Sequence, residues 1–199
     1  MHFLLWHDLS WLHIEWAEFR ELFGTKPSRI DLMNETAPAF FGQLQEVMLE
    51  SVLLCLTRLT DPPRIGGHDN LTFLRLPRRV AGLTIQGAVH QALGHLIAAT
   101  HFARDWRDRR LAHRDLGHAL DPTAKPLAPA SRADVEAALA AARELMGVTE
   151  VHFTNTTVRY EQVVRTTGGA WDLLYQLESG LEAVRARREG HVQWKPKYL

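Results

Sequence analysis

Phe40-Phe-Gly-Gln-Leu-Gln-Glu-Val-Met-Leu-Glu-Ser-Val-Leu-Leu-Cys-Leu-Thr-Arg-Leu59 is the most apolar stretch of the chain, and its reading decides the fold. Apolar residues recur in it at intervals of three and four, the period of a helix with one face turned inward. The spacing predicts a central, largely buried helix. It belongs to a periodic region from about Ile30 to Thr60 that Pro38 interrupts, so the helix is either kinked there or begins afresh near Ala37.

The same period appears on both sides of this segment. Toward the N-terminus, Leu5, Leu9, Leu12, Trp16, Phe19, Leu22 and Phe23 mark an amphipathic helix over Leu4–Phe23, closed by Gly24 and Pro27. Toward the C-terminus, Asp61-Pro-Pro-Arg-Ile-Gly-Gly-His-Asp-Asn70 reads as a loop, with Gly66-Gly67 as a turn. Asn70 is placed to cap a short helix over Leu71–Leu76 that Pro77 ends. A long helical pattern then runs from about Leu83 through Ile85, Val89, Leu93, Leu96, Ile97 and Phe102 toward the arginine cluster. Asp121–Ala130 is a second loop. Ser131-Arg-Ala-Asp134 has the spacing of a capping box and opens an alanine-rich helix from Ala133 that either ends near Met146 or continues through Gly147. Val151–Thr167 is ambiguous between strand and helix. A last helix, Ala170–Arg188, turns Trp171, Leu174, Leu177, Leu181 and Val184 inward and leads to a short basic tail.

Helical periodicity dominates, so the expected class is all-α: an antiparallel bundle of five or six helices. The length of 199 residues and the 46% hydrophobic composition suit a single domain over residues 1–199 with its own core. Lys plus Arg and Asp plus Glu are equal at 23 each, so contact with a polyanion has to come from local clustering. The only cysteine, Cys55, sits among apolar neighbours, and no intrachain disulfide framework is possible. The N-terminus does not read as a signal peptide, and no uninterrupted apolar run reaches the roughly 18 residues of a membrane helix. The expected location is the cytoplasm, without membrane association.

Charge does cluster at Arg104-Asp-Trp-Arg-Asp-Arg-Arg-Leu-Ala-His-Arg-Asp115, which holds five arginines and one histidine in twelve residues. Arg104 with Asp108, and Asp105 with Arg109, stand four apart, the spacing of a solvated helix face laced with weak ion pairs. The alternative is chemical. Histidine shuttles a proton near neutral pH, and arginine holds phosphate oxygens while keeping its charge. His113 and Arg107 would be catalytic, with Asp108 orienting Arg107. Arg110 and Arg114 would grip substrate phosphate, and Trp106 would stack an unpaired base unless it packs in the core. On a regular helix the six residues from Arg107 to His113 give about 120° of separation around the axis and about 9 Å along it. Convergence therefore needs an irregular helix, a long reach by Arg107, or a second subunit. A two-fold dimer would also supply a second histidine, giving one base and one acid.

Arg107-Asp108-x4-His113 resembles the motif of the HEPN superfamily, small all-helical proteins that include many metal-independent ribonucleases. Leu22-Phe23-Gly24, Arg58-Leu59-Thr60-Asp61-Pro62, Asn70-Leu71-Thr72 and Ala112-His113-Arg114-Asp115 are similar to its AbiU-type abortive-infection branch, over most of residues 10 to 120. The resemblance implies a homodimer with two motifs facing one cleft, cleavage of RNA in a bacterial defence or toxin system, and a possible antitoxin partner. Some members have lost catalysis and only bind or assemble. The related HepT-like toxins carry a modifiable tyrosine two residues after the histidine; Asp115 stands there in this chain, which speaks against that mode of control.

No metal or other cofactor is expected. His2 and His7, His90 and His95, and His113 and His118 are each five apart, where a helical metal pair wants three or four. Gly66-Gly67 and Gly168-Gly169 lack the context of nucleotide-binding loops. Glu46 and Glu50 read as the polar edge of an apolar helix.

Overall fold

A computed structural model describes residues 1–24, 26–112, 115–121, 123, 126–162 and 168–190. Nine α-helices carry the described residues: α1 (His2–Phe23), α2 (Pro27–Thr36), α3 (Pro38–Leu59), α4 (Leu76–Arg79), α5 (Gln86–Ala99), α6 (His101–Trp106), α7 (Leu116–Leu120), α8 (Arg132–Thr154) and α9 (Ala170–Arg188). Six of them have ten residues or more, and the all-α class follows. The only strands among the described residues are the two-residue β1 (Arg64–Ile65) and β2 (His68–Asp69).

The chain packs as two compact units, Met1–Glu15 with Leu49–Val163, and Trp16–Met48 with Val164–Leu199. In the first, α5 lies on α8. Val89, Ala92, Leu93 and Leu96 of α5 are buried, as are Ala138, Leu139, Ala142 and Leu145 of α8. The alanines let the two backbones approach, and the larger side chains fill the space on either side. Leu5, Leu9 and Leu12 of α1 and Val52, Leu53 and Leu56 of α3 are fully or almost fully buried in the same unit. In the second unit α2 packs on α9, and Leu22, Met33, Phe41, Ala170 and Leu174 form the core.

Local chemistry explains several helix ends. Pro27 opens α2 in its first turn, where the missing N–H costs nothing. The capping box of α8 is formed: Asp134 N donates to Ser131 Oγ at 3.2 Å and Ser131 N donates to Asp134 Oδ2 at 2.9 Å. This helix runs past Gly147 to Thr154 and stops at Asn155, whose φ of 50° is left-handed. The first residues of the ambiguous segment are thus helical; Val163–Thr167 lie outside the described residues. At the start of α9 the backbone N–H of Ala170 donates to Glu18 Oε2. A Cβ on Gly169 would stand 2.7 Å from Glu18 Oε1, so a larger residue there would have to push the glutamate side chain aside.

Several details depart from the sequence reading. Helix α3 begins afresh at Pro38, but it is buried along one stripe only. Phe41, Val52, Leu56 and Leu59 are buried and Leu44 and Met48 partly so, whereas Phe40 and Val47, off that stripe, are 59% and 62% exposed. Total apolarity overstated burial because the intervening glutamines and glutamates turn most of the first half to solvent. Among the described residues α3 alone is long and apolar enough to cross a membrane by length and composition. Trp171 and Val184 of α9 face solvent too. Thr72, not Asn70, caps the 3-10 turn Phe73–Arg75; the Asn70 side chain donates to Pro62 O at 2.8 Å. Pro77 sits in the first turn of α4 instead of ending a helix. Gly66 and Gly67, at φ of 55° and 88°, make the two-residue turn of the β1–β2 hairpin.

His13 is a buried histidine on the inner face of α1, 5% exposed, its ring stacked on Tyr160 at 5.5 Å. Burial, with Arg143 adding to it and Glu161 opposing, holds its pKa down to about 4 from 6.5. Tyr160 in turn donates to Glu150 Oε1, and Val158 N donates to Glu150 Oε2 at 3.3 Å, tying the turn after α8 back to that helix. Between pH 6.5 and 4 the unfolded chain binds a proton that the folded His13 does not, so stability falls as pH drops through that window and levels below it. The loss amounts to roughly 3 kcal/mol at 1.36 kcal/mol per unit of pKa. Melting curves at pH 7 and pH 4 should show His13→Phe losing markedly less stability on acidification than the parent; equal losses would show that His13 does not titrate as described.

Candidate functional site

The arginine cluster begins as α6 and then changes geometry. Arg107–Leu111 form a π-helical turn, in which Ala112 N donates to Arg107 O, five residues back, at 2.8 Å. Asp115 N reaches six residues back to Arg109 O at 3.1 Å. A regular helix does not continue from Arg107 toward position 113, and single π turns of this kind recur at functional sites. His113 and Arg114 lie outside the described residues.

Two loops clamp this turn from either side. On one side Asp105 accepts two bonds from Arg109, from Nε at 2.7 Å and Nη2 at 2.5 Å, and a third from Ala128 N at 2.8 Å. Trp106 Nε1 donates to Ala128 O at 2.7 Å, and Arg109 Nη2 to Pro126 O at 2.9 Å. On the other side, the loop leaving α3 meets two arginines. Arg104 Nη2 donates to Thr60 Oγ1 at 2.8 Å and to Thr60 O at 3.2 Å, and Arg107 Nη1 donates to Asp61 Oδ1. Arg107 Nε also donates to Asp108 Oδ1 at 2.8 Å.

Of the two i,i+4 pairs that the spacing suggests, Asp105–Arg109 forms. Arg104 and Asp108 take other partners, because the wide turn carries Asp108 beside Arg107 and the Thr60 corner captures Arg104. Arg107 and Asp108 are thus brought together. Arg110 lies over the Trp106 ring at 5.3 Å, a cation–π contact, with Glu50 no nearer than 3.8 Å. Trp106 is half-buried, its indole N–H is engaged and the guanidinium stands over its ring, so a base would stack there only by displacing Arg110. The side chain of Arg110 is 44% exposed, against 25% for Arg107 and 13% for Arg109. Arg110 is the more accessible cation for a phosphate.

Burial works against the charge on Arg107, but its bonds to Asp108 and its attraction to Asp61 outweigh it, so its pKa rises above the ordinary arginine value. The guanidinium is a permanent cation held by two carboxylates. Asp61 also lines a cleft of about 460 Å³ together with Asp8, Glu15, Asp69, Arg58 and Trp11. Of its four carboxylates, Asp61 pairs with Arg107 and Asp69 with Arg75 at 2.7 Å, so the cleft carries no excess of positive charge to attract a polyanion. Cys55 opens on the same cleft, and burial pushes its thiol pKa up, away from a reactive thiolate. Among the described residues no group of three or more His, Cys, Asp or Glu is placed to hold a metal ion.

The family model HEPN_AbiU2, described as AbiU2, matches residues 1–171. The chain belongs to the AbiU2 family of HEPN domains. No curated protein and no solved structure matches it. The match takes in both the cluster and the Thr60–Asp61 corner that holds it, and ends in the first turn of α9. Within this HEPN domain, sequence reasoning gave Asp61 no role and read Asp105 only as the weak i,i+4 partner of Arg109. Asp61 stands 46 positions from Arg107, and only the fold joins them.

Asp105 accepts three bonds that water replaces poorly in a half-buried setting. Asp105→Asn, which cannot match the bidentate arginine contact, should lose about 2 kcal/mol, lowering Tm by roughly 4–8 °C for a chain of this size. Asp108→Asn, at a 53% exposed side chain, should change it by less than about 0.5 kcal/mol. Thermal melts of the two variants decide this, and equal shifts would remove Asp105 from its central place.

Proposed function

We propose that this HEPN domain is a metal-independent endoribonuclease of a bacterial abortive-infection or toxin–antitoxin system, acting in the cytoplasm as a homodimer. One observation carries the reading: Arg107, the first residue of the family motif, is held in a fixed orientation by Asp61 and Asp108 on an irregular turn leading toward His113. Membership of the AbiU2 family supports it.

In this reading the substrate RNA supplies its own nucleophile. A ribose 2′-hydroxyl attacks the adjacent phosphorus while an imidazole takes its proton, and the P–O5′ bond breaks as the leaving oxygen receives a proton. The products are a 2′,3′-cyclic phosphate and a 5′-hydroxyl. His113 of one protomer serves as base and the partner's copy as acid, and the roles suit a side chain with an ordinary pKa near 6.5. Arg107 stabilises the charge that develops on the non-bridging oxygens; Arg110 and Arg114 grip flanking phosphate. An antitoxin protein would cover this face until the system is triggered.

A second reading, a non-catalytic RNA- or protein-binding module, draws on a specific observation. Arg104, Arg107 and Arg109 all have acidic or polar partners within the chain, so much of the cluster's charge serves to hold the fold together.

Purified protein incubated with a mixed RNA pool and a chelator separates the two. The parent should release fragments ending in 2′,3′-cyclic phosphate, and His113→Ala should slow this by 10²–10⁴-fold, the range for a lost general acid–base group. Undiminished cleavage by His113→Ala would sink the catalytic reading. RNA retention without any cleavage by the parent would favour the binding module, and sedimentation of the same samples reports whether the protein is dimeric.

A further inference from the structure

The corner that leaves α3 is rigid, and it presents an acid to the first residue of the motif. Thr60 is 1% exposed and its hydroxyl donates to Leu56 O and Thr57 O, both at 3.2 Å, so it stays attached to the end of α3. Thr72 Oγ1 donates to Leu59 O at 2.9 Å. Beyond Asp61, Asn70 Nδ2 donates to Pro62 O at 2.8 Å and Arg75 Nη2 donates to Pro63 O at 2.6 Å. Pro62 and Pro63 themselves have restricted backbones. Asp61 thus has little freedom of its own, and its side chain is 16% exposed.

We propose that Asp61 is the positioning residue of the ribonuclease site, fixing the guanidinium of Arg107 relative to the unit that carries it. The inference rests on the ribonuclease reading above. Asp108 cannot do this alone: it is the next residue on the same turn and moves with Arg107. Asp61 reaches Arg107 from a different element, across 46 positions of sequence. The guanidinium has five N–H donors. Asp108 takes one at Nε and Asp61 one at Nη1, which leaves three to meet phosphate oxygens, in an orientation set before substrate arrives. A flexible latch would be a single exposed contact on a mobile loop. Here the contact is mostly shielded, its neighbour Thr60 holds Arg104 one turn earlier, and the loop behind it is cross-bonded, which is the construction of a fixed support.

The experiment combines steady-state cleavage of a defined RNA with the arginine Nη–H signals of nitrogen-15-labelled protein, the Arg107 Nη1 proton that Asp61 accepts being assigned by its loss in Arg107→Lys. In the parent that proton should exchange slowly. In Asp61→Asn it should merge with the exposed arginines, and kcat should fall about 10- to 100-fold, the scale of a misplaced catalytic group, with KM within about threefold. Asp61→Glu, which keeps the charge but moves it by one methylene, should show intermediate kcat. A slowly exchanging Arg107 signal in Asp61→Asn, or kcat within twofold of the parent, overturns the proposal. If Asp61→Asn does not fold, Asp61→Glu carries the test, and parent-like kcat with an unchanged Arg107 signal overturns it. Should the parent cleave no RNA while its Arg107 signal is lost in Asp61→Asn, the ribonuclease reading fails and the support of Arg107 by Asp61 stands.

Discussion

Carboxylate–guanidinium pairing across distant parts of the sequence is the constraint on which the candidate site depends. Asp105 fastens the turn to the 126–128 segment through Arg109 and Ala128, and Asp61 fastens it to the end of α3 through Arg107. These are charge-assisted bonds in partly shielded places, where geometry is specific and a missing partner is felt. Exposed pairs such as Arg185–Glu35 contribute far less. The cluster is therefore both a structural joint and the place where chemistry is proposed.

The structural and the proposed chemical readings of this arginine-rich turn divide its arginines between them. Arg104 and Arg109 are spent on the joint, Arg110 stands outermost against Trp106, and Arg107 is intermediate, engaged on two donors but not on all five. A site of this kind does not attract nucleic acid by bulk charge, since the chain is neutral and Arg104, Arg107 and Arg109 have partners within it. Discrimination would come from a few oriented donors instead.

The sequence made the helices legible and their environments less so. Ser131-Arg-Ala-Asp134 announced α8 because capping is local chemistry, and the 3–4 spacing of Leu5, Leu9, Leu12 and Trp16 announced the buried face of α1. Phe40, Val47, Trp171 and Val184 were misjudged because apolarity says that a residue can be buried, not that a partner awaits it. Asn70 lost its expected capping role to Thr72 since Pro62 O offered its amide a competing acceptor. At the site, Arg107, Asp108, Arg110 and Trp106 could be picked out from spacing and family resemblance. The π turn could not, because its widened hydrogen bonds answer to clamps from 44 to 46 positions upstream and about 20 downstream, beyond any local pattern.

The widened turn also constrains how the family motif can vary. One surplus residue is accommodated between Arg107 and Ala112, so Ala112 takes the place around the axis that Leu111 would hold in an uninterrupted α-helix, an offset of about 100°. Removing a single residue within 107–111 would restore ordinary α winding with the flanking backbone kept in place. Tolerance for length changes between the arginine and the histidine should thus be bought by loosening or tightening this one coil, leaving α5 and α8 undisturbed.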